Sequence, residues 1–261
     1  MIPDPPPLPP AEAAVPPLPV ASPRPWGAGA TFGFLLLILL GMTVGQMAVL
    51  VPWVVVRMVN DPSGNVNQLA EDLQYDGDLL SLATFAAAIT TLGLVVLLVK
   101  ARGWSAPRDY VGLAPVRFKS VLPWGLALLA LVAGFDALST FLDRPVVPES
   151  MSRIYESAAF LPLLWIAVVI VAPLWEEIVF RGFGFRGFRS SRLGLAGAIL
   201  VPALFWTGLH VQYDAYDLSF VFALGLFFGF ARERTGSVTV PIVLHVLNNL
   251  IATIEMGLLT R

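Results

Sequence analysis

Apolar stretches recur along this chain at about the length that a bilayer core requires, roughly 20 residues. They cover 31–57, 79–99, 121–142, a run from 158 into a pair of glutamates at 176 and 177, and then 193–211, 218–231 and 238–259. Only 13% of the residues are charged and 57% are hydrophobic, whereas soluble domains carry about 25% charge. The expected fold is therefore all-α, a polytopic integral membrane helix bundle of about seven transmembrane helices. An eighth, interfacial helix has room in 143–158, and the sixth segment is short enough to be re-entrant.

The connections between these segments alternate in charge. Those at 100–119, 181–192 and 232–234 are basic, and those at 60–78, 143–158 and 212–217 are acidic or mixed. By the positive-inside rule the N-terminus is cytoplasmic and, with seven spans, the C-terminus is outside. In a bacterial host the inner membrane is the expected location. Residues 1–30 hold eleven of the 22 prolines and lack the basic start of a signal peptide, which reads as a disordered proline-rich tail. The expected division is this tail, N-terminal membrane helices with their cytoplasmic loop over 31–119, and a catalytic membrane core over 120–261. Cysteine is absent, which rules out disulfides and thiolate chemistry, and no basic face suits a nucleic acid. Gly225 and Gly229 form a GxxxG spacing that favours close helix packing.

Glu176-Glu177-Ile-Val-Phe-Arg181 is the costliest feature of the chain. An ionisable residue inside a span costs about 2.5–3.5 kcal/mol on insertion scales, so an adjacent pair marks a functional site. Residues four apart share a helix face, so Glu177 and Arg181 are expected to form a structural ion pair. Glu176 points elsewhere without a local partner and is the candidate for chemistry. The two histidines, His210 and His245, also lie in apolar segments, and His245 shares a face with Asn249. Burying four such groups separately is expensive, so they are expected to meet in one water-accessible cavity open to the cytoplasm. A carboxylate and two imidazoles can ligate a zinc ion, with His210, His245 and Glu176 as ligands, or can activate a water directly. Either route leads to hydrolysis of an acyl bond.

These residues resemble the CAAX-protease and bacteriocin-processing family, also called CPBP or Abi, which includes the Ras-converting prenyl endopeptidases. Its motifs, EExxxR, FxxxH and HxxxN, match Glu176-Glu177 with Arg181, Trp206 with His210, and His245 with Asn249, within about 110–255. Trp206 stands where the family usually has Phe, a departure expected to touch packing and not chemistry. The resemblance implies an intramembrane endopeptidase, of metallo- or glutamate type, acting on a membrane-associated peptide or protein in the lipid bilayer. It assigns water activation to Glu176, water or metal binding to His210, and the oxyanion to His245 and Asn249. The alternatives are a non-catalytic membrane scaffold or immunity-type binding protein, and a proton-coupled transporter. With straight helices, Glu176 and His210 would lie at opposite membrane faces. They meet only if the helix carrying Glu176 continues past Arg181, to about residue 190.

Overall fold

In a computed structural model, which describes residues 23–62 and 64–259, every described regular element is helical. The apolar segments become α1 (Ala28–Asn60), α3 (Gly77–Ala101), α5 (Phe118–Phe141), α7 (Leu161–Arg189), α8 (Gly194–Gly208), α9 (Ala215–Thr235) and α10 (Thr239–Leu259). Short helices α2 (Val66–Gln74), α4 (Pro107–Val111) and α6 (Glu149–Ser157) sit in the connections, and α6 is the extra helix expected within 143–158. Six of the seven apolar helices are long enough to cross a bilayer.

The short one is not where the sequence placed it. The sixth segment continues through Arg232, Glu233 and Arg234 to a left-handed Gly236, giving 21 residues. The fifth, α8, has only 15. Charge spacing puts Arg232 in a basic connection, but it lies inside the helix, buried, where its Nε donates to the Arg181 carbonyl at 3.0 Å. Such a bond lets a guanidinium extend a helix that charge counting would have ended.

Helix α7 is the centre of the bundle. Its apolar window is 44% buried, against 11–39% for the other spans, and it packs on α1, α3, α4, α8, α9 and α10. At the other extreme, α1 and α5 leave most of their apolar side chains exposed, as helices facing lipid should. Close approach is bought with small residues: a Cβ on Gly225 or Gly229 would stand 3.1 Å from Ala203 or Ile199 of α8, and one on Gly187 would collide with Thr31 of α1.

Two stretches of α7, Ile166–Val171 and Ile178–Gly184, are wound as wide π turns. In the first, the Ala172 N–H reaches back five residues to the Ala167 carbonyl. In that register the Val168 carbonyl should pair with residue 173, a proline without an N–H. Such turns recur at functional sites because they re-aim side chains.

Of the proline-rich tail, residues 1–22 lie outside the described residues. Its described end is packed: the Trp26 indole N–H donates to the Leu98 carbonyl at 3.4 Å, and α1 begins at Ala28.

Candidate active site

Helix α7 runs on from Glu176 through Arg189, as the meeting of the two segments required. Glu176 stands thirteen positions before that end, about 20 Å along the helix. His210 stands two residues beyond the antiparallel 15-residue α8, itself about 22 Å long. The two side chains therefore come to the same depth.

Glu177 and Arg181 form the expected pair, with Arg181 Nη1 donating to Glu177 Oε1 at 2.9 Å and both side chains buried. His245 joins them, its Nδ1 lying 3.0 Å from the same Oε1. A carboxylate only accepts, so His245 Nδ1 carries the hydrogen and its Nε2 faces away. Arg181 Nη2 donates to the Gly225 carbonyl at 3.2 Å, and its guanidinium carbon lies 4.6 Å from the Trp206 ring centroid. Among the described residues, Glu177 Oε2 receives no donor.

Glu176 is half-buried. Its Oε2 accepts the Trp206 indole N–H at 2.5 Å. His210, also half-buried, lies 2.8 Å through Nδ1 from the Trp206 carbonyl. That carbonyl can only accept, so Nδ1 carries the hydrogen and Nε2 is left to bind or deprotonate. Tyr213, in the connection after α8, stacks on the His210 ring at 5.8 Å. Burial pushes the Tyr213 phenol up to about 12, so it meets His210 as a neutral group.

The two histidines flank one ring. His210 and His245 have centroids 5.0 and 5.2 Å from that of Trp206, both edge-on. The structure thus brings Glu176, His210 and His245 into one cluster, divided by an indole into a half-buried side (Glu176, His210) and a buried side (Glu177, Arg181, His245). Asn249 is used differently from the expectation. Its Nδ2 donates at 2.8 Å to the Val168 carbonyl, the acceptor left by Pro173, while its Oδ1 accepts from Asn248. One of its two N–H bonds is so committed to the backbone of α7.

Among the described residues, no three histidine, aspartate or glutamate side chains gather as a metal-holding group. His210 and His245 both keep Nε2 uncommitted, and a carboxylate or carbonyl behind Nδ1 is the usual support of a metal-ligating histidine, so these two rings with Glu176 are the residues that would hold a zinc ion, which would polarise the water there.

Sequence reasoning missed three contributors. Trp206 was read for size, although its N–H is what Glu176 receives. Pro173 lies unremarked within the apolar run that starts at 158, although it leaves the carbonyl that Asn249 satisfies. Nothing in the spacing links Glu177 to His245, 68 positions away.

Residues 158–251 match the family described as type II CAAX prenyl endopeptidase Rce1-like. Relatives include an uncharacterized 24.3 kDa protein of Escherichia coli, 30% identical over 62% of this chain and 75% of its own length. The membrane-embedded CAAX protease MroQ of Staphylococcus aureus is 27% identical over 65% of this chain and 70% of its own. The putative membrane peptidase YdiL of Bacillus subtilis is 25% identical over 69% and 72%. No solved structure matches the chain.

Proposed function

This chain belongs to the Rce1-like family of type II CAAX prenyl endopeptidases, and from that premise we propose that it hydrolyses a peptide bond of a membrane-associated protein or peptide with a water activated by Glu176. The observation that carries the reading is the contrast in the glutamate pair: Glu177 is buried and accepts from both Arg181 and His245, whereas half-buried Glu176 accepts, among the described residues, only the Trp206 indole N–H and keeps Oε1 without a donor.

A water between Glu176 Oε1 and His210 Nε2 has two acceptors for its hydrogens. Glu176 takes one proton as the water oxygen bonds to the scissile carbonyl carbon. The oxyanion that forms falls to the second N–H of Asn249 and, in the doubly protonated form of the ring, to Nε2–H of His245, the two residues sharing a face of α10. Collapse breaks the C–N bond, and the proton held on Glu176 passes to the leaving amine. Every step uses the chain's own residues.

The placement we propose keeps the N-terminus and the basic connections in the cytoplasm, in the inner membrane of a bacterial host, with the site about 20 Å from that face, beside the connection that follows His210. The supporting pattern is that the basic α4 connection and the ends of α7 and α9 share one end of the bundle, where Arg186 donates to the Asp109 carbonyl and Arg189 pairs with Glu233.

Comparing the membrane peptides of cells carrying the native protein with those carrying Glu176→Gln tests the function. Cleavage products that vanish with Glu176→Gln support the endopeptidase. An identical peptide set with partner binding retained would replace it by the scaffold reading.

A further inference from the structure

Both reacting groups of the proposed site lead back to one residue. The Trp206 indole N–H donates to Glu176 Oε2 at 2.5 Å, and the Trp206 backbone carbonyl lies 2.8 Å from His210 Nδ1. We propose that Trp206 is a positioning residue that sets Glu176 through its indole N–H and His210 through its carbonyl, so that the oxygen and nitrogen facing the water are chosen by a single side chain and its own peptide. The proposal rests on the endopeptidase reading above.

The ring is fixed on several sides. Trp206 is 2% exposed. The Arg181 guanidinium lies over its face, His210 and His245 meet it edge-on, and Phe228 packs at 6.0 Å. An indole so confined can aim its N–H in one direction only, which makes the bond a fixed support and not an incidental contact. Glu176 needs such a support. It has three side-chain torsions and is half-buried, and the indole is its hydrogen-bond donor among the described residues. Pinning Oε2 leaves Oε1 as the oxygen that meets water.

A phenylalanine here would keep the stacking and lose the N–H, because only the indole nitrogen donates. The Trp-for-Phe departure therefore changes the support of the catalytic carboxylate as well as its packing. In this chain the pinning also couples the two sides of the cluster, since the ring that holds Glu176 is the ring on which Arg181 of the buried pair rests.

The experiment combines a signal that reads the bond with one that reads its effect. In protein labelled with ¹⁵N at the indole of its seven tryptophans, the Trp206 resonance is the one lost in Trp206→Phe. Replacing the charged acceptor by Glu176→Gln should shift that resonance and leave the other six in place; an unmoved resonance would overturn the proposal. The products found in the peptide comparison above should then form roughly 10- to 100-fold more slowly in Trp206→Phe, the loss of one hydrogen bond to a charged group, with KM unchanged. Should Trp206→Phe fold poorly, benzothienylalanine at 206, which keeps the fused ring with sulfur in place of N–H, must show the same slowing. Native rates in a well-folded isostere would refute the positioning role while leaving Glu176 as the base. Products unaffected by Glu176→Gln would instead sink the endopeptidase reading, and this role with it.

Discussion

Glu176 and Glu177 are adjacent in sequence and point about 100° apart on α7, yet their surroundings differ in kind. Glu177 is buried, and one of its oxygens receives both Arg181 and His245. Glu176 is half-buried, and one of its oxygens receives a single neutral donor, the Trp206 indole. In a bundle with little water, a carboxylate whose donors are charged and enclosed serves as architecture. One held by a single neutral donor, with its second oxygen lacking any donor among the described residues, is left to meet water. The helix twist between successive residues is enough to separate the two roles.

The largest test of this contrast in stability is Glu177→Gln. It leaves Arg181 buried without its counter-ion, and breaking a buried pair in this way costs about 3–5 kcal/mol. Thermal denaturation in detergent should show a large drop, with poor yield. A stable but inactive Glu177→Gln protein would reverse the two roles.

The next test concerns the wide turn before the pair. Asn249→Ala leaves the Val168 carbonyl without a donor, at a cost of about 1–3 kcal/mol. If Pro173 is the reason that carbonyl needs Asn249, Pro173→Ala supplies an N–H in the same register, and the Asn249→Ala penalty should shrink in that background by more than about 0.5 kcal/mol. Strict additivity of the two substitutions would separate Asn249 from the proline.

Glu176→Gln should leave stability within about 0.5 kcal/mol, because the amide oxygen still accepts the Trp206 N–H. Its cleavage should nonetheless fall by about 100-fold or more, the usual worth of a general base. A Glu176→Gln protein as unstable as Glu177→Gln would erase the contrast.

The smallest effect lies outside the spans. The Asp217 N–H, and next the Arg144 guanidinium, hold the Asp214 carboxyl below the usual carboxylate range. A depressed folded value stabilises the fold above the unfolded pKa, about 3.9, and that contribution is lost as the pH falls through the folded value. The melting-temperature gap between the native protein and Asp214→Asn should thus be present near neutrality and close on acidification. A gap independent of pH would remove the charge from the account.

Hydropathy made the seven helices legible, since each apolar run is long enough to announce itself. The i, i+4 rule gave the Glu177–Arg181 pair, because both partners lie on one turn of one helix. Contacts between helices were beyond that reach. The burial of Arg232 depends on a carbonyl 51 positions away, so a sequence window sees only a cation near two other charges. The donation from Trp206 to Glu176 crosses 30 positions and depends on ring rotation, which a motif defined by residue size does not record. The wide turns of α7 left one trace, Pro173, which has the same meaning in an ordinary kinked helix until the register of its neighbours is known.

The brevity of α8 has a consequence for the lipid around it. At about 22 Å, its 15 residues fall short of the roughly 30 Å hydrocarbon thickness of a typical bilayer, and the polar end of that helix carries His210. A short wall of this kind is accommodated by thinning of the adjacent leaflet or by headgroups dipping toward it. Hydrolysis needs water at a depth where bulk lipid has none, and local deformation of the membrane beside α8 brings the aqueous phase closer to the glutamate. Host membrane thickness thereby becomes a variable of the reaction: reconstitution in lipids of increasing acyl length should slow cleavage, and a rate indifferent to acyl length would mean that the protein supplies the water by its own interior route.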